Sequence, residues 1–251
     1  MPETIDLLLK ELKLPAFLRH YQRHQEQAIE KGHGHVRYLS GLCEQEVADR
    51  YQKRVQRWTR EAGLPPGKSF ANLKLEEFSA SEQQLIIAQK DHSDWAHHAG
   101  NVLLIGPSGV GKSHIAAALA AQLIEQNVRV KWFSAVVLVQ SLQQAKRDLD
   151  LMTTMTRLDK YQVLVIDDIG YVKKNDAETQ VLFEFIAHRY ESGSLIITSN
   201  QPFSHWDQIF PDTMMTVAAI DRIIHHATII EIEGDSYRKK TELKKLTYFF
   251  N

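Results

Sequence analysis

The sequence predicts an α/β fold in which helices cover a five-stranded parallel sheet and a small all-helical domain precedes it. Three observations predict this fold. Helical patterning fills the first 60 residues, a stretch rich in Pro and Gly follows, and from residue 101 short β-branched apolar runs alternate with helical segments. The composition agrees, because the 251 residues are 43% hydrophobic and 24% charged, close to the average for globular proteins.

The helical region comes first along the chain. Apolar residues recur there at helical spacing until Pro15, which breaks or restarts the helix. The Gly-His turn at 32–35 precedes a second predicted helix over 36–61, and the segment 62–73, "AGLPPGKSFANL", has the composition of a linker. We therefore expect a helical domain over residues 1–65.

Five apolar runs are the predicted strands of the sheet. They lie at 101–106, 129–134, 162–168, 194–200 and 227–233. Because the runs alternate with helical segments, the strands should be parallel and buried on both faces. A ligand is then expected at the edge where their carboxyl ends meet.

Cysteine content and hydropathy indicate the compartment. Cys43 is the single cysteine, so it cannot form an internal disulfide, which favours a reducing environment. The longest apolar run, 115–123, is well short of the roughly 18 residues that a membrane span needs. No basic-then-apolar leader opens the sequence. We expect a cytoplasmic protein that does not contact a membrane.

The stretch "GPSGVGKS" at 106–113 matches the phosphate-binding pattern G-x-x-x-x-G-K-[ST] at every position, between a predicted strand and a predicted helix. Glycines there let backbone N–H groups turn towards a phosphate, and the helix N-terminus adds its dipole. Lys112 is placed to contact the β and γ phosphates of ATP, and the Ser113 hydroxyl to bind Mg²⁺. The predicted nucleotide-binding residues are Gly106, Pro107, Ser108, Gly109, Val110, Gly111, Lys112, Ser113 and His114.

Two adjacent acids end the third predicted strand, in "VLVIDDIG". Asp167 would reach the carboxyl edge of the sheet and hold Mg²⁺ through a bound water. Asp168 would face the cleft and orient the attacking water as general base, or alternatively cap the turn at Gly170. The fourth strand ends in "TSNQ", so Asn200 would bond either the γ-phosphate and water or a turn.

Basic residues form a stripe at helical spacing in "RYQKRVQRWTR". Such a stripe can lie along a phosphate backbone, or it can be a solvated helix face. The predicted DNA-contacting residues of this stripe are Arg50, Lys53, Arg54 and Arg57.

Two pairs of consecutive histidines, 97–98 and 225–226, raise the question of a metal site. Neighbouring residues on a helix or strand point apart, and the sequence shows no acid or cysteine that completes a ligand set. The sequence therefore argues against a metal at either pair.

Taken together, "NVLLIGPSGVGKSHIAAALA", "YQVLVIDDIGY", "IITSNQPF" and "DRIIHHATIIEIEGDSYR" resemble the IstB-like transposition helper ATPases of bacterial insertion sequences. These are relatives of the DnaC-type helicase loaders within the AAA+ superfamily. The resemblance covers nearly the whole chain. The phosphate loop alone would indicate only an NTPase, and the joint pattern points to this family.

The resemblance implies roles for single residues. Residues 106–113 would be Walker A, Asp167 and Asp168 Walker B with Asp in place of the more usual Glu, and Asn200 sensor 1. Arg222 matches the position from which this clade supplies an arginine finger to the neighbouring subunit. From its own surroundings in the sequence, Arg222 could instead pair with Asp221 or Glu231.

The resemblance also implies a domain order. Residues 1–65 would bind DNA or a partner, 66–100 would be a linker with helices beside the adenine, and 101–251 would be the AAA+ ATPase domain. The chain departs from many AAA+ proteins, because little sequence follows the fifth strand. A reduced or absent C-terminal lid is therefore expected, with Arg238 as a substitute for its sensor 2 arginine.

The implied partners are duplex DNA bound largely without sequence preference, a cognate transposase and further copies of the same chain. Additional DNA candidates are Lys146, Arg147, Lys173 and Lys174, each of which could equally be a solvated charge. A DnaC-like loader of a replicative helicase is the nearest alternative.

More distant alternatives are a GTPase, a small-molecule kinase and a clamp that binds ATP without hydrolysing it. A GTPase would carry an N-K-x-D motif, and none follows Asp168. A kinase would need an acceptor-binding insert, and none is evident between the strands. Phosphate release measured with and without DNA separates the clamp from the ATPase.

Overall fold

The structure, a computed structural model, describes residues 2–171, 176–202, 205–206, 213–234 and 236–237. The chain forms two compact units, Met1–Arg57 and Trp58–Asn251. The division falls inside a long helix, α3 (His35–Ala62), and not in the Pro- and Gly-rich stretch that follows it. The three-part division at residues 65 and 100 stays a prediction.

The first unit consists of helices. α1 (Pro2–Glu11) and α2 (Pro15–Glu30) precede α3. Pro15 occupies the start of α2, where its missing N–H costs no hydrogen bond, so it begins the second helix as the sequence predicts. Ala16 and Leu42 are fully buried between these helices. The three helices begin or end close to the predicted breaks at Pro15, 32–35 and 62–73.

Five parallel strands in the order β2-β3-β4-β1-β5 form the sheet of the second unit. The strands are β1 (Asn101–Ile105), β2 (Val130–Ser134), β3 (Val163–Asp167), β4 (Ser194–Ser199) and β5 (Ala227–Glu231). All five predicted strands and their parallel pairing are thereby confirmed.

Helices and short 3₁₀ turns precede the first strand and connect the others. The helices are α4 (Ala80–Asp91), α5 (Lys112–Glu125), α6 (Ala135–Arg147), α7 (Leu151–Leu158), α8 (Asp176–Arg189) and α9 (Thr213–Ile224). The 3₁₀ turns are Phe70–Asn72, Leu75–Glu77, Asp94–His97 and Ile169–Tyr171. None of the described helices is long and apolar enough to cross a membrane.

The sheet separates two layers of the core. Alternate strand residues such as Leu103, Ile166 and Ile197 belong to a buried cluster with α6, α8 and α9. α5 contributes no residue to that cluster; it packs on the sheet with nine of its fourteen residues buried. Covering both faces in this way explains why the central strands read as continuous apolar runs.

Candidate nucleotide-binding site

The loop between β1 and α5 is closed around its lysine. Lys112 Nζ donates hydrogen bonds to the carbonyl oxygens of Gly106 at 2.8 Å and Pro107 at 2.7 Å, and the residue is only 5% exposed. Gly111 caps α5 with a φ of 106°, a conformation that favours glycine. A Cβ on Gly109 would overlap the Ser236 side chain. The predicted glycines are therefore needed where the loop turns and where another segment approaches it.

A cleft of about 330 Å³ opens in front of this loop, a size suited to a small ligand. Ser108–His114 line one side, together with Asp168. His114 also has Nε2 3.0 Å from the Ser69 carbonyl oxygen, which ties the start of α5 to the segment before α4.

The other walls of the cleft come from two segments far apart in sequence. The lining residues that sequence reasoning did not single out are Lys68, Asn72, Leu73, Lys74, Glu77, Phe78, Ile232, Glu233, Gly234 and Tyr237. Lys74 Nζ lies 5.7 Å from the centre of the Tyr237 ring. The lining residues between Lys68 and Phe78 belong to the range 66–100, which is expected to lie beside adenine. No local signal in the sequence marks the lining residues that follow β5.

Glu82 links these two walls. Its carboxylate, 8% exposed, accepts hydrogen bonds from the backbone N–H of Ser79 at 2.6 Å and of Glu233 at 3.0 Å. The first bond belongs to a capping box that begins α4. A helix cap therefore also holds the chain after β5 in place.

The two acids of β3 are held by a threonine of β4. Thr198 Oγ1 donates to Asp167 Oδ1 at 2.7 Å and accepts from the backbone N–H of Asp168 at 2.8 Å. Asp168 has a φ of 61°, so the chain turns sharply after Asp167. Asp168 lines the cleft. Sequence reasoning missed Thr198, although its place two residues before Asn200 was a usable signal.

Asn200 ends the neighbouring strand region at the same edge of the sheet. Its Oδ1 is shielded from solvent and has no hydrogen-bond partner within the part of the chain that the structure describes. A Cβ on Gly170 would overlap this oxygen. Because buried polar atoms are nearly always paired, this oxygen beside Gly170 leaves a hydrogen bond for a water or a ligand to make, although Asn200 is not among the residues that line the cleft.

The donor set suits Mg²⁺, which prefers oxygen ligands. Ser113 lines the cleft, and Asp167 ends β3 with one carboxylate oxygen committed to Thr198. These are the residues that would hold the ion, as the sequence predicts.

Arg222 lies at the other edge of the sheet. It occupies the last turn of α9, before the first residue of β5, whereas the phosphate loop follows the carboxyl end of β1. Its Nη1 donates to the Ala218 carbonyl at 2.8 Å, and its guanidinium lies 5.6 Å from the Phe183 ring and 5.9 Å from the Tyr190 ring. The structure thus does not bring Arg222 to the cleft of its own chain.

The predicted DNA-contacting residues differ in their surroundings. Arg50 bonds Glu46 at 2.8 Å and the Lys13 carbonyl at 2.7 Å, so it holds α3 to the α1–α2 turn. Lys53 and Arg57 are exposed, and Arg54 is half-buried with its guanidinium 5.7 Å from the Tyr51 ring.

In the second unit, Lys146 pairs with Glu184 at 2.7 Å and Arg147 bonds Gln144 at 2.7 Å. Lys173, Lys174 and Arg238 lie outside the described residues, as does the segment where a C-terminal lid would be sought.

Known proteins resemble this chain over most of its length. The sequence model of the IstB-like ATP-binding protein family matches residues 7–245. An insertion sequence ATP-binding protein of Sinorhizobium fredii (strain NBRC 101917 / NGR234) is 41% identical over 240 residues, which cover 96% of this chain and 80% of that protein. The ATP-binding protein of insertion sequence IS21 from Pseudomonas aeruginosa is 32% identical over 240 residues, covering 96% and 90% of the two chains.

Among solved structures, the crystal structure of DnaI superposes with a TM-score of 0.56 at 20% identity, covering 66% of this chain and 92% of that one. This similarity supports the fold, a P-loop α/β arrangement with a five-stranded parallel sheet. The phosphate loop, the paired acids and the match over residues 7–245 confirm the resemblance seen in the sequence, and the chain belongs to the IstB-like ATP-binding protein family.

Proposed function

We propose that this protein is a DNA-dependent ATPase that assembles on duplex DNA and there recruits and stimulates the transposase of its insertion sequence. The observation that carries the ATPase part is the cleft itself, which is lined by the loop with Lys112 and by Asp168, the acid that follows β3. Family membership supports the link to transposition.

Each residue of the cleft has a separate role in this proposal. Lys112 neutralises charge on the β and γ phosphates. To reach them, its ammonium group replaces its hydrogen bonds to the Gly106 and Pro107 carbonyls with bonds to phosphate oxygens. Ser113 and Asp167 would hold Mg²⁺, and the ion, when bound, would supply positive charge to the phosphates of ATP. Asp168 orients the attacking water, and the Asn200 amide contacts that water or the γ-phosphate.

The position of Arg222 supports action on a neighbouring subunit. The five residues of β5 separate the two edges of the sheet by about 16 Å at roughly 3.3 Å per residue, too far for this side chain to reach its own γ-phosphate. An arginine supplied by a second copy would stabilise the transition-state charge and make hydrolysis depend on assembly.

The proposed DNA binding depends on exposed basic side chains of the first unit. Lys53 and Arg57 are exposed in α3 and lie one helical turn apart. Side chains of this kind contact phosphates and not base edges, so binding should tolerate sequence changes and weaken as salt rises. Arg50 also bonds Glu46 and the Lys13 carbonyl within the unit, while its side chain stays 56% exposed.

Phosphate release with and without duplex DNA tests the proposal. DNA should raise the rate, Lys112→Ala should abolish nucleotide binding, and Asp168→Asn should retain binding but lose most hydrolysis. Asp148→Asn is the matched control, because Asp148 is exposed and its carboxylate accepts hydrogen bonds from the Gln144 side chain, away from the cleft. Hydrolysis that DNA leaves unchanged, or that survives in Asp168→Asn, contradicts the proposal.

The partner is tested separately. The protein, loaded with ATP and duplex DNA, should retain the transposase of its insertion sequence in a pull-down. Retention of a replicative helicase in place of the transposase would support the DnaC-like alternative.

A further inference from the structure

Two consecutive histidines occupy the short connection between α9 and β5. α9 ends at Ile224 and β5 begins at Ala227, so His225 and His226 lie in a turn. Their ring centroids are 4.1 Å apart with an interplanar angle of 51°. The rule that neighbouring side chains point apart holds for helices and strands, and it does not apply in this turn. The sequence-based argument against a metal therefore loses its premise here.

An acid from a different part of the chain completes the set. Glu191 follows α8, and one ligand atom from each of Glu191, His225 and His226 lies within 4.8 Å of the other two. All three side chains are exposed. Among the described residues, this is the one group of three His, Cys, Asp or Glu side chains close enough to share an ion.

We propose that Glu191, His225 and His226 bind a divalent transition-metal ion of the Zn²⁺ type. Two imidazoles and a carboxylate form a ligand set that zinc uses, with a fourth position left open for water. Imidazole nitrogen favours zinc, copper and nickel, whereas Mg²⁺ prefers oxygen alone. Ligands of a tetrahedral zinc lie about 3.4 Å apart, given metal–nitrogen bonds of about 2.0–2.1 Å. Exposed side chains can close the remaining gap by rotating.

A tyrosine hydroxyl lies within hydrogen-bonding distance of one of the imidazoles. The Tyr190 hydroxyl lies 3.0 Å from Nδ1 of His225. A histidine that binds a metal through one nitrogen donates the proton of the other to an acceptor, which fixes the ring. The phenol oxygen of Tyr190 can accept that proton when Nε2 of His225 binds the ion.

Charged side chains also lie near the cluster. Besides Glu191, Asp221 places a carboxylate close to Tyr190 and Arg222 places a guanidinium there. Arg222 rests with its guanidinium 5.9 Å from the Tyr190 ring. A bound ion would therefore hold in place the turn before β5 and the ring against which Arg222 packs.

The proposed site is separate from the nucleotide cleft. It lies at the amino ends of the strands, where the His226 carbonyl accepts from the backbone N–H of Asn101 at 2.8 Å. The phosphate loop follows the opposite ends. Metal binding here requires neither ATP nor DNA, so its test does not depend on whether the protein hydrolyses ATP.

The experiment is a titration of the intact, untagged protein with Zn²⁺ in competition with a chromophoric chelator, without nucleotide. One ion per chain should bind at the cluster. His225→Ala, His226→Ala and Glu191→Gln should each weaken binding about 10-fold or more, since loss of even an outer partner has that effect. Co²⁺ should give visible absorption bands that these variants lose.

The other exposed pair, His97 and His98, provides the matched control, because it offers two imidazoles outside the cluster. Replacing both with alanine should leave the Zn²⁺ affinity unchanged. The proposal is overturned if wild type and the His225→Ala/His226→Ala variant bind Zn²⁺ with equal affinity. It is also overturned if the control variant at His97 and His98 loses as much Zn²⁺ affinity as the cluster variants. If circular dichroism shows that an alanine variant unfolds at a lower temperature than wild type, the Zn²⁺ affinity of Glu191→Gln tests the proposal, since glutamine keeps the shape of the side chain.

Discussion

Thr198 donates a 2.7 Å hydrogen bond from its hydroxyl to Oδ1 of Asp167. The same hydroxyl accepts the backbone N–H of Asp168 at 2.8 Å, and Thr198 is fully buried. One side chain of β4 thus orients the carboxylate that ends β3 and fixes the backbone from which the next carboxylate enters the cleft. Thr198 is a positioning residue for both acids, without itself lining the cleft.

Replacing Thr198 with Val keeps the shape of the side chain but removes the hydroxyl. We expect the free energy of unfolding to fall by about 1–3 kcal/mol, because the half-buried Asp168 N–H and the Asp167 carboxylate both lose their hydrogen bond to Thr198. We also expect ATP hydrolysis to fall about 10-fold or more while nucleotide affinity changes less, since the acids lose their orientation. Phosphate release and binding of a fluorescent nucleotide measure the two effects.

Thr198→Ser is the control for this change, because it restores the hydroxyl and removes only a methyl group. Its hydrolysis rate should return close to that of the wild type. Equal losses of hydrolysis in the Val and Ser variants would show that packing, and not the hydrogen bonds, explains the effect.

The trans role proposed for Arg222 leads to a mixing experiment. Arg222→Ala should bind ATP normally and hydrolyse it at a rate lower by about 10³-fold or more, the effect of losing an arginine finger. Lys112→Ala should bind no nucleotide but still offer its own Arg222. An equimolar mixture should recover part of the activity at interfaces that join an intact Lys112 to an intact Arg222.

Each variant alone, at the total concentration of the mixture, is the baseline for that recovery. A mixture that is no more active than the sum of its components argues against a shared site. Arg157→Ala is the control for loss of a cation, because Arg157 is exposed and pairs only with Asp150 among the described ion pairs.

Arg189 is predicted to support the amino edge of the sheet. It is 1% exposed, and its Nη2 donates to the carbonyls of Tyr161 at 3.1 Å, Gln162 at 2.9 Å and Ser194 at 3.4 Å. Burial lowers the pKa of Arg189, although the Asp159 carboxylate opposes this. Arg189→Met should reduce the free energy of unfolding by about 3–5 kcal/mol, because buried polar groups lose their charged partner.

Urea denaturation followed by circular dichroism measures this loss. Arg157→Met removes an exposed ion pair and should change the free energy of unfolding by less than about 1 kcal/mol. Similar values for the two variants would contradict a structural role for the buried guanidinium.

Glu46 should make the stability of the first unit depend on pH. Burial alone would raise the pKa of Glu46, but hydrogen bonds from Arg50 and the Ala16 N–H, with the charge of Arg50, lower it below 4.5. The ionised carboxylate therefore contributes stability above the unfolded pKa, near 4.5, and this contribution is lost as the pH falls through the lower folded pKa.

Glu46→Gln should consequently destabilise the protein by about 1.5–3 kcal/mol at pH 7, the value of hydrogen bonds to a charged group. The difference from wild type should shrink as the pH falls below about 4.5. Urea denaturation at a series of pH values measures it. Glu44→Gln, at an exposed position of α3, is the control, and its free energy of unfolding should stay close to that of wild type at every pH. A difference between Glu46→Gln and wild type that does not change with pH would refute the prediction.

The features that the sequence predicted correctly are those with a local signal. The strands follow from apolar runs, and the first turn of α2 follows from Pro15. The loop around Lys112 follows from glycine spacing, because each glycine serves a backbone conformation within a few residues of itself. The placement of Asp168 in the cleft follows from its position after a buried strand.

Other features depend on residues that folding brings together from distant parts of the chain. Nothing near Tyr237 in the sequence shows that it will face Lys74 across the cleft. The basic spacing around Arg50 does not show that this side chain bonds Glu46 and the Lys13 carbonyl, and its DNA contact stays a prediction. A charge pattern does not reveal which charges the fold will neutralise.

By itself, then, the sequence determined the fold class, the phosphate loop and the order of acids and amide along the sheet edge, because periodicity and backbone geometry act over a few residues. Only the tertiary structure decided that Thr198 holds both acids, that Arg222 lies away from the cleft of its own chain, and that Glu191 meets His225 and His226. These three relationships are set by strand pairing and helix packing, which join residues that no local pattern connects.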